Sequence, residues 1–154
     1  MYFKQIKNQM PIIKAELTDK DFGFTITDET NNQMKIDIPE SQGGNSKGLR
    51  PMHTILAALC GCSGVDVVSI LKKQRQTYDT FSIEVDGQRE VDKVPSLWKE
   101  INLKYIFTGE VSLLKAYHAV DLSINKYCSV AETLRKSGAK ITFVVSVNGV
   151  VYTS

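Results

Sequence analysis

The sequence predicts an α+β fold, antiparallel β-sheets packed around one long buried central helix. Three observations carry that expectation. Arg50 to Lys73 is almost entirely apolar or small, and its middle holds no strong breaker, only Gly61 and Gly64. The flanking stretches alternate apolar and polar residues with the period of half-buried strands. Asn148-Gly149 lies between two apolar runs, the strongest short hairpin signal a sequence offers.

Residues 1 to 40 read as β. Met10 to Leu17 is a strand with Pro11 near its start. Asp21 to Thr27 alternates Phe22, Phe24 and Ile26 against small or polar neighbours. Asp28 to Asn32 is a turn by composition, and Met34, Ile36 and Ile38 alternate again before Pro39 ends the run. The result is a small antiparallel meander, a structural cover sheet. Ser41 to Gly48 is a glycine-rich stretch expected to be a flexible loop. It lacks the strand, glycine and lysine order of a phosphate-binding loop.

The central helix opens with Pro51, preset for a first turn, and closes with Lys72 and Lys73, whose charge suits a helix C-terminus. Its composition predicts burial on most sides. Cys62, Ser63 and Asp66 interrupt the apolar run, which reads as too short to span a bilayer. Residues three and four apart share a face, so Cys62 and Asp66 lie together with Leu59 and Ser69. Cys60 and Cys62 stand roughly 200° apart around the axis and form no unstrained disulfide on a helix. Cys-Gly-Cys is therefore neither a redox pair nor a zinc knuckle; one thiol packs and the other is the candidate for chemistry.

Thr80 to Gly87 and Leu97 to Phe107 alternate cleanly and predict a long antiparallel hairpin, with Trp98 as a packed core residue. Leu113 to Tyr127 has helical spacing through Leu113, Leu114, Tyr117, Val120, Asp121 and Ile124. His118 on that helix and His53 read as surface residues, and no third ligand is in reach for a Cys–His metal site. Cys128 then precedes Ser129 and Glu132, which fit a capping box opening a short helix to Lys136. A thiol at that place is expected to have a lowered pKa. Gly138 is a C-cap signal, and residues 140 to 153 give two final strands. Two thiols on two packed helices are the physical minimum for a redox centre in which one attacks and the other resolves.

At 154 residues the chain reads as a single domain over 1–154, at a size where dimers are common. Hydrophobic residues at 42% and charged residues at 23% are ordinary for a globular protein. A net charge of +2 with no cluster of Lys and Arg excludes a nucleic-acid footprint. Three cysteines argue for a reducing compartment. The first ten residues lack the apolar core of a signal peptide, so a cytoplasmic protein is expected.

The residues also carry a resemblance. P-M-H-T-I-L-A-A-L-C-G-C-S-G-V-D-V-V-S-I-L, with D-L-S-I-N-K-Y-C-S-V-A-E-T-L downstream, resembles the OsmC/Ohr family of thiol peroxidases, and within it the YhfA-type branch. The strong motifs cover Pro51 to Leu71 and Asp121 to Leu134, and the strand pattern around them fits. The resemblance implies an OsmC-like fold and an intertwined homodimer with long helices sandwiched by sheets. It implies Cys62 as the peroxide-attacking cysteine and Cys128 as the resolving one. Cys60 falls where the family has a small residue and reads as packing. The implied activity is reduction of organic hydroperoxides through a Cys62 sulfenate and a Cys62–Cys128 disulfide. An external dithiol is the reductant, and no cofactor, metal or membrane is needed.

The chain departs from the family at two places. Met52 stands where the family's Pro-Glu-Glu-Leu run has the Glu that orients a catalytic arginine. The first arginine is Arg50, and the N-terminal β region offers only lysines such as Lys14 and Lys20. An ammonium does not replace a planar guanidinium. Arg50 and Asp66 are the expected supporting residues, Asp66 paired with a cation from Arg50 or from a partner's arginine. Leu59, Val65 and phenylalanines of the sheet are expected to wall an apolar pocket beside Cys62. The rival expectations are a non-catalytic protein that binds a small apolar ligand or senses redox state, and a sulfur-transfer carrier using the same nucleophile.

Overall fold

A computed structural model describes residues 10–153 of the chain. Most of the N-terminal stretch considered for a signal peptide therefore lies outside the described residues. The chain forms two compact units, one ending at Ile55 and one beginning at Leu56.

The first unit carries the meander. β1 (Lys14–Leu17), β2 (Phe24–Thr27) and β3 (Gln33–Ile36) pair antiparallel in the order β1-β2-β3. The β2–β3 turn is tied by Asp28, whose carboxylate accepts from the amides of Thr30 (2.8 Å) and Asn32 (2.9 Å). Hydrogen bonds led by the Asn32 side chain hold the Asp28 pKa down at about 2. The glycine-rich stretch is not the flexible loop expected. Asp37 is only 1% exposed, and it accepts from the amides of Ile38 (2.7 Å), Lys47 (3.0 Å) and Asn45 (3.2 Å). Those bonds, the Lys47 amide foremost, depress its pKa. Gly44 packs so closely that an added Cβ would stand 2.1 Å from the Ile38 carbonyl oxygen. A buried carboxylate satisfied by backbone amides gives this loop one conformation.

α1 (Pro51–Lys73) is the long helix anticipated, with Pro51 in its first turn and two lysines in its last. Burial departs from expectation. Within this chain only Leu56, Leu59, Ser63, Val67 and Leu71 are buried, one stripe at helical spacing. Ala57, Ala58, Gly61, Val65 and Ser69 are exposed. At 23 residues, with an 18-residue window of mean hydropathy 1.9, α1 passes a length-and-composition test for crossing a membrane, a test that the buried core helix of a globular protein passes equally.

The second unit holds a four-stranded sheet in the order β4-β5-β6-β7: β4 (Thr80–Arg89), β5 (Trp98–Thr108), β6 (Lys140–Val147) and β7 (Val150–Tyr152). β4–β5 and β6–β7 are the hairpins anticipated. β5 and β6 pair parallel, with Ile101 opposite Ile141 and Tyr105 opposite Val145, so the sheet is mixed. The reason is the connection: a parallel neighbour needs a crossover, here two helices, where a tight turn would give antiparallel strands. Alternation sends Ile101, Leu103, Tyr105 and Phe107 of β5 to the core. Phe81 stacks on Phe107 at 4.4 Å between ring centroids. Trp98 is buried as expected, at 6% exposure.

The crossover begins with α2 (Leu113–Leu122), shorter than the helix expected to Tyr127. Ser123–Tyr127 continues as a π-helical turn, and α3 (Ser129–Lys136) follows. α2 buries Ala116, Ala119 and Val120, while Leu114, assigned to the apolar face, is 65% exposed. Gly138 ends α3 at φ 100°, a conformation that favours glycine.

Candidate functional site

Five side chains from three elements of the second unit converge. Cys62, Ser63 and Asp66 come from α1, Ser123 opens the π turn, and Cys128 closes it. The Cys62 Sγ, an Asp66 carboxylate oxygen and the Cys128 Sγ all lie within 4.8 Å of one another. All three cysteines are free thiols. The two thiols that the resemblance singles out are thus brought together, and the helical spacing that placed Asp66 beside Cys62 is observed.

The geometry has local causes. The Cys128 amide donates to the Ser123 carbonyl at 2.8 Å, a bond spanning five residues that widens the turn. That turn presents Ser123 and Cys128 to the same stretch of α1. The Ser123 hydroxyl donates to Asp66 Oδ2 (3.1 Å) and to the Ser63 carbonyl (3.2 Å), sharing one proton between them. On the sheet side the buried Tyr105 hydroxyl donates to Ser63 Oγ at 2.8 Å. The polar stripe of α1 is therefore occupied by the chain's own strand and helix. Gly64 faces Ile83 of β4, where an added Cβ would stand 3.2 Å from the Ile83 side chain.

Cys128 corrects two expectations. It is itself the N-cap of α3, its sulfur accepting from the Ala131 amide at 3.4 Å, in place of Ser129. Its pKa is raised rather than lowered. Burial pushes the thiol up to about 11, and the neighbouring Cys62 adds to the rise against the opposing Ala131 bond. Desolvation outweighs the helix terminus because the residue is 3% exposed. Burial also raises the Cys60 thiol, in keeping with a packing role.

The remaining expected residues fall outside this cluster. Asp66 takes the Ser123 hydroxyl as its partner, with no cation paired to it among the described residues. Arg50 is exposed in the first unit, where its carbonyl accepts from His53 (2.9 Å) and Thr54 (3.2 Å) and starts α1. Val65, expected in an apolar wall, is 71% exposed in this chain. His53 and His118 are exposed. Sequence reasoning missed Ser63, Tyr105 and Ser123 as site residues. Their bonds join positions 42 and 57 residues apart, and only the crossover topology brings them together.

The sequence model described as "OsmC-like protein" matches residues 43–144. The chain is similar to "Protein YhfA" of Escherichia coli strain K12, 43% identical over 116 residues, which are 75% of this chain and 84% of that one. Among solved structures it is similar to a hypothetical protein from Aquifex aeolicus VF5, with TM-score 0.74 and 33% identity over 91% of this chain and 98% of that one. It shares its fold with a Legionella pneumophila protein described as an organic hydroperoxide resistance protein OsmC and predicted redox protein. There the TM-score is 0.63 and identity 15%, over 91% of this chain and 97% of that one.

Proposed function

This chain belongs to the OsmC-like protein family, and from that membership and its paired thiols we propose that it is a thiol-dependent peroxidase reducing organic hydroperoxides. The observation that carries the proposal is the approach of the Cys62 and Cys128 sulfurs and the Asp66 carboxylate to within 4.8 Å of one another. Two thiols at that separation meet with small side-chain adjustments to form a disulfide.

The chemistry runs in three steps. The Cys62 thiolate attacks one oxygen of the hydroperoxide. The S–O bond forms, the O–O bond breaks, and the alkoxide leaves as alcohol after taking a proton. Cys128 then attacks the sulfenic sulfur; the S–S bond forms, the S–O bond breaks, and hydroxide leaves as water with the proton that Cys128 gave up. An external dithiol reduces the disulfide by exchange. Asp66 is the carboxylate placed to carry that proton from Cys128 to the leaving oxygen. Ser123 positions it. An arginine of a partner subunit supplies the positive field for the Cys62 thiolate. The chain acts as one domain in a cytoplasmic homodimer, and the apolar, exposed face of α1 supports that assembly. It covers Val65 and completes an apolar wall suited to alkyl hydroperoxides. No nucleic acid, membrane or cofactor takes part.

The test is single-turnover oxidation by cumene hydroperoxide and, separately, hydrogen peroxide, counting free thiols. Wild type should lose two thiols rapidly with the organic peroxide. Cys62→Ser should abolish the loss, Cys128→Ser should divert it to over-oxidation, and Cys60→Ser should leave it unchanged. Loss no faster than that of a free thiol, and indifferent to Cys62→Ser, would overturn the proposal. A second reading, a protein of this fold that binds a small apolar ligand or senses redox state, is favoured by Met52 and by the lysine-only N-terminal region. A sluggish, slowly alkylated Cys62 would support it.

A further inference from the structure

We propose that the reduced protein binds one thiophilic divalent cation, zinc in the first instance, through Cys62 Sγ, Cys128 Sγ and a carboxylate oxygen of Asp66, with a fourth position open to water or a small ligand. The proposal uses the same side chains as the peroxidase reading but rests on their geometry alone.

Zinc–sulfur bonds of about 2.3 Å and zinc–oxygen bonds of about 2.0–2.2 Å in a tetrahedron put sulfur and oxygen donors about 3.6–3.8 Å from one another. The three donor atoms stand within 4.8 Å of one another, so a contraction of about 1 Å by rotamer adjustment closes the set. The donor types fit a borderline-soft ion: two sulfurs and one carboxylate, with no imidazole required. A search for a Cys–His site in the sequence fails for want of a third ligand; Asp66 supplies it, one helical turn from Cys62.

The surroundings match what ligands need. Ser123 donates to Asp66 Oδ2 at 3.1 Å, which fixes the carboxylate plane and leaves the other oxygen without a hydrogen bond among the described residues. The Ala131 amide donates to Cys128 Sγ at 3.4 Å, a bond that supports a sulfur carrying negative charge. Both are the supporting contacts that orient metal ligands. Cys128 is buried and Cys62 and Asp66 are half-buried, so the donor set has a closed side and an open side. That is the arrangement of a site with an exchangeable fourth ligand.

The consequence is regulatory. A cation on both sulfurs occupies the lone pairs that attack peroxide and sulfenic acid. The metal-bound and disulfide states exclude one another, and two-electron oxidation of the pair by a hydroperoxide, which is reduced to alcohol and water, releases the ion.

The experiment is calorimetric titration of the reduced, full-length protein with zinc sulfate, with cobalt(II) as a spectroscopic probe. One ion per chain and a sulfur-to-cobalt charge-transfer band are expected. Cys62→Ser and Cys128→Ser should each abolish the band. Ser123→Ala should weaken binding by about 10–100-fold, the range for loss of a contact that orients a ligand, Asp66→Asn should weaken it at least as much, and Cys60→Ser should bind as wild type. Because a variant can fail by misfolding, the wild-type protein is also alkylated with iodoacetamide with and without zinc. Protection of Cys62 but not of Cys60 supports the site, Cys128 being too buried to label in either case. Labelling of Cys62 that is equal with and without zinc, or zinc binding that survives Cys62→Ser undiminished, overturns it. No peroxide is present in either measurement, so a peroxidase without this site, and this site without peroxidase activity, give different results.

Discussion

At the scale of single residues, Ser123 is the side chain on which the candidate site turns. Its one proton serves both Asp66 and the Ser63 carbonyl. Ser123→Ala leaves the Asp66 carboxylate without its donor and should destabilise the protein by about 1–3 kcal/mol, measured by urea unfolding. It should also change the alkylation rate of Cys62, since Asp66 is then free to turn. Asp66→Asn should change that rate directly by removing a negative charge beside the thiol; an unchanged rate would take Asp66 out of the site. Cys128 sets a pH dependence. Its folded pKa, about 11, lies above the usual thiol value because of burial, so the stability it contributes is fully present below about pH 9. That contribution is lost as pH rises through 11, because the unfolded chain ionises first. Urea midpoints at pH 8 and pH 10.5 should show the fall, and Cys128→Ser should lessen it.

At the scale of elements, the strands, the long helix and the closing hairpin were legible because each depends on local periodicity or on a turn dipeptide. Helical spacing also placed Asp66 beside Cys62. Three things were not legible. The parallel pairing of β5 with β6 depends on a crossover, not on either strand. The π turn has no composition of its own, since Ser-Ile-Asn-Lys-Tyr suits an ordinary helix equally well. The order in the glycine-rich loop comes from Asp37, a carboxylate read from the sequence as part of a strand. The end of α3 gives a clean test of backbone strain. Gly138 has φ 100° and nothing within 4 Å of an added Cβ. Gly138→Ala should therefore cost about 1–2 kcal/mol from conformation alone. A stability equal to wild type would show that the chain relaxes around the turn.

At the scale of the whole molecule, the unresolved balance lies on α1. The helix is apolar around its circumference but buries one stripe in its own chain. Ala57, Gly61 and Val65 leave a small-residue face in water, which suits close approach of another helix. Val65→Lys should shift the protein toward monomer in light scattering coupled to size exclusion, if a second copy covers that face. Unchanged mass would assign the face to something else. The resemblance carried this expectation; the composition of α1 showed only that its burial needed explaining.

The parallel β5–β6 ladder also bears on how the chain is made. Its register joins residues 40 apart, from Glu100 with Lys140 to Phe107 with Val147. Closing a loop of that length costs on the order of 3 kcal/mol in chain entropy before the ladder returns anything. On the ribosome, the β4–β5 hairpin emerges early with the β5 edge unpaired. Cys62 emerges before it, and Cys128 long after. The nascent chain therefore carries Cys62 without its Cys128 partner, and an open strand, until the crossover is synthesised, and the interval before β6 arrives is when both are most vulnerable to oxidation and mispairing.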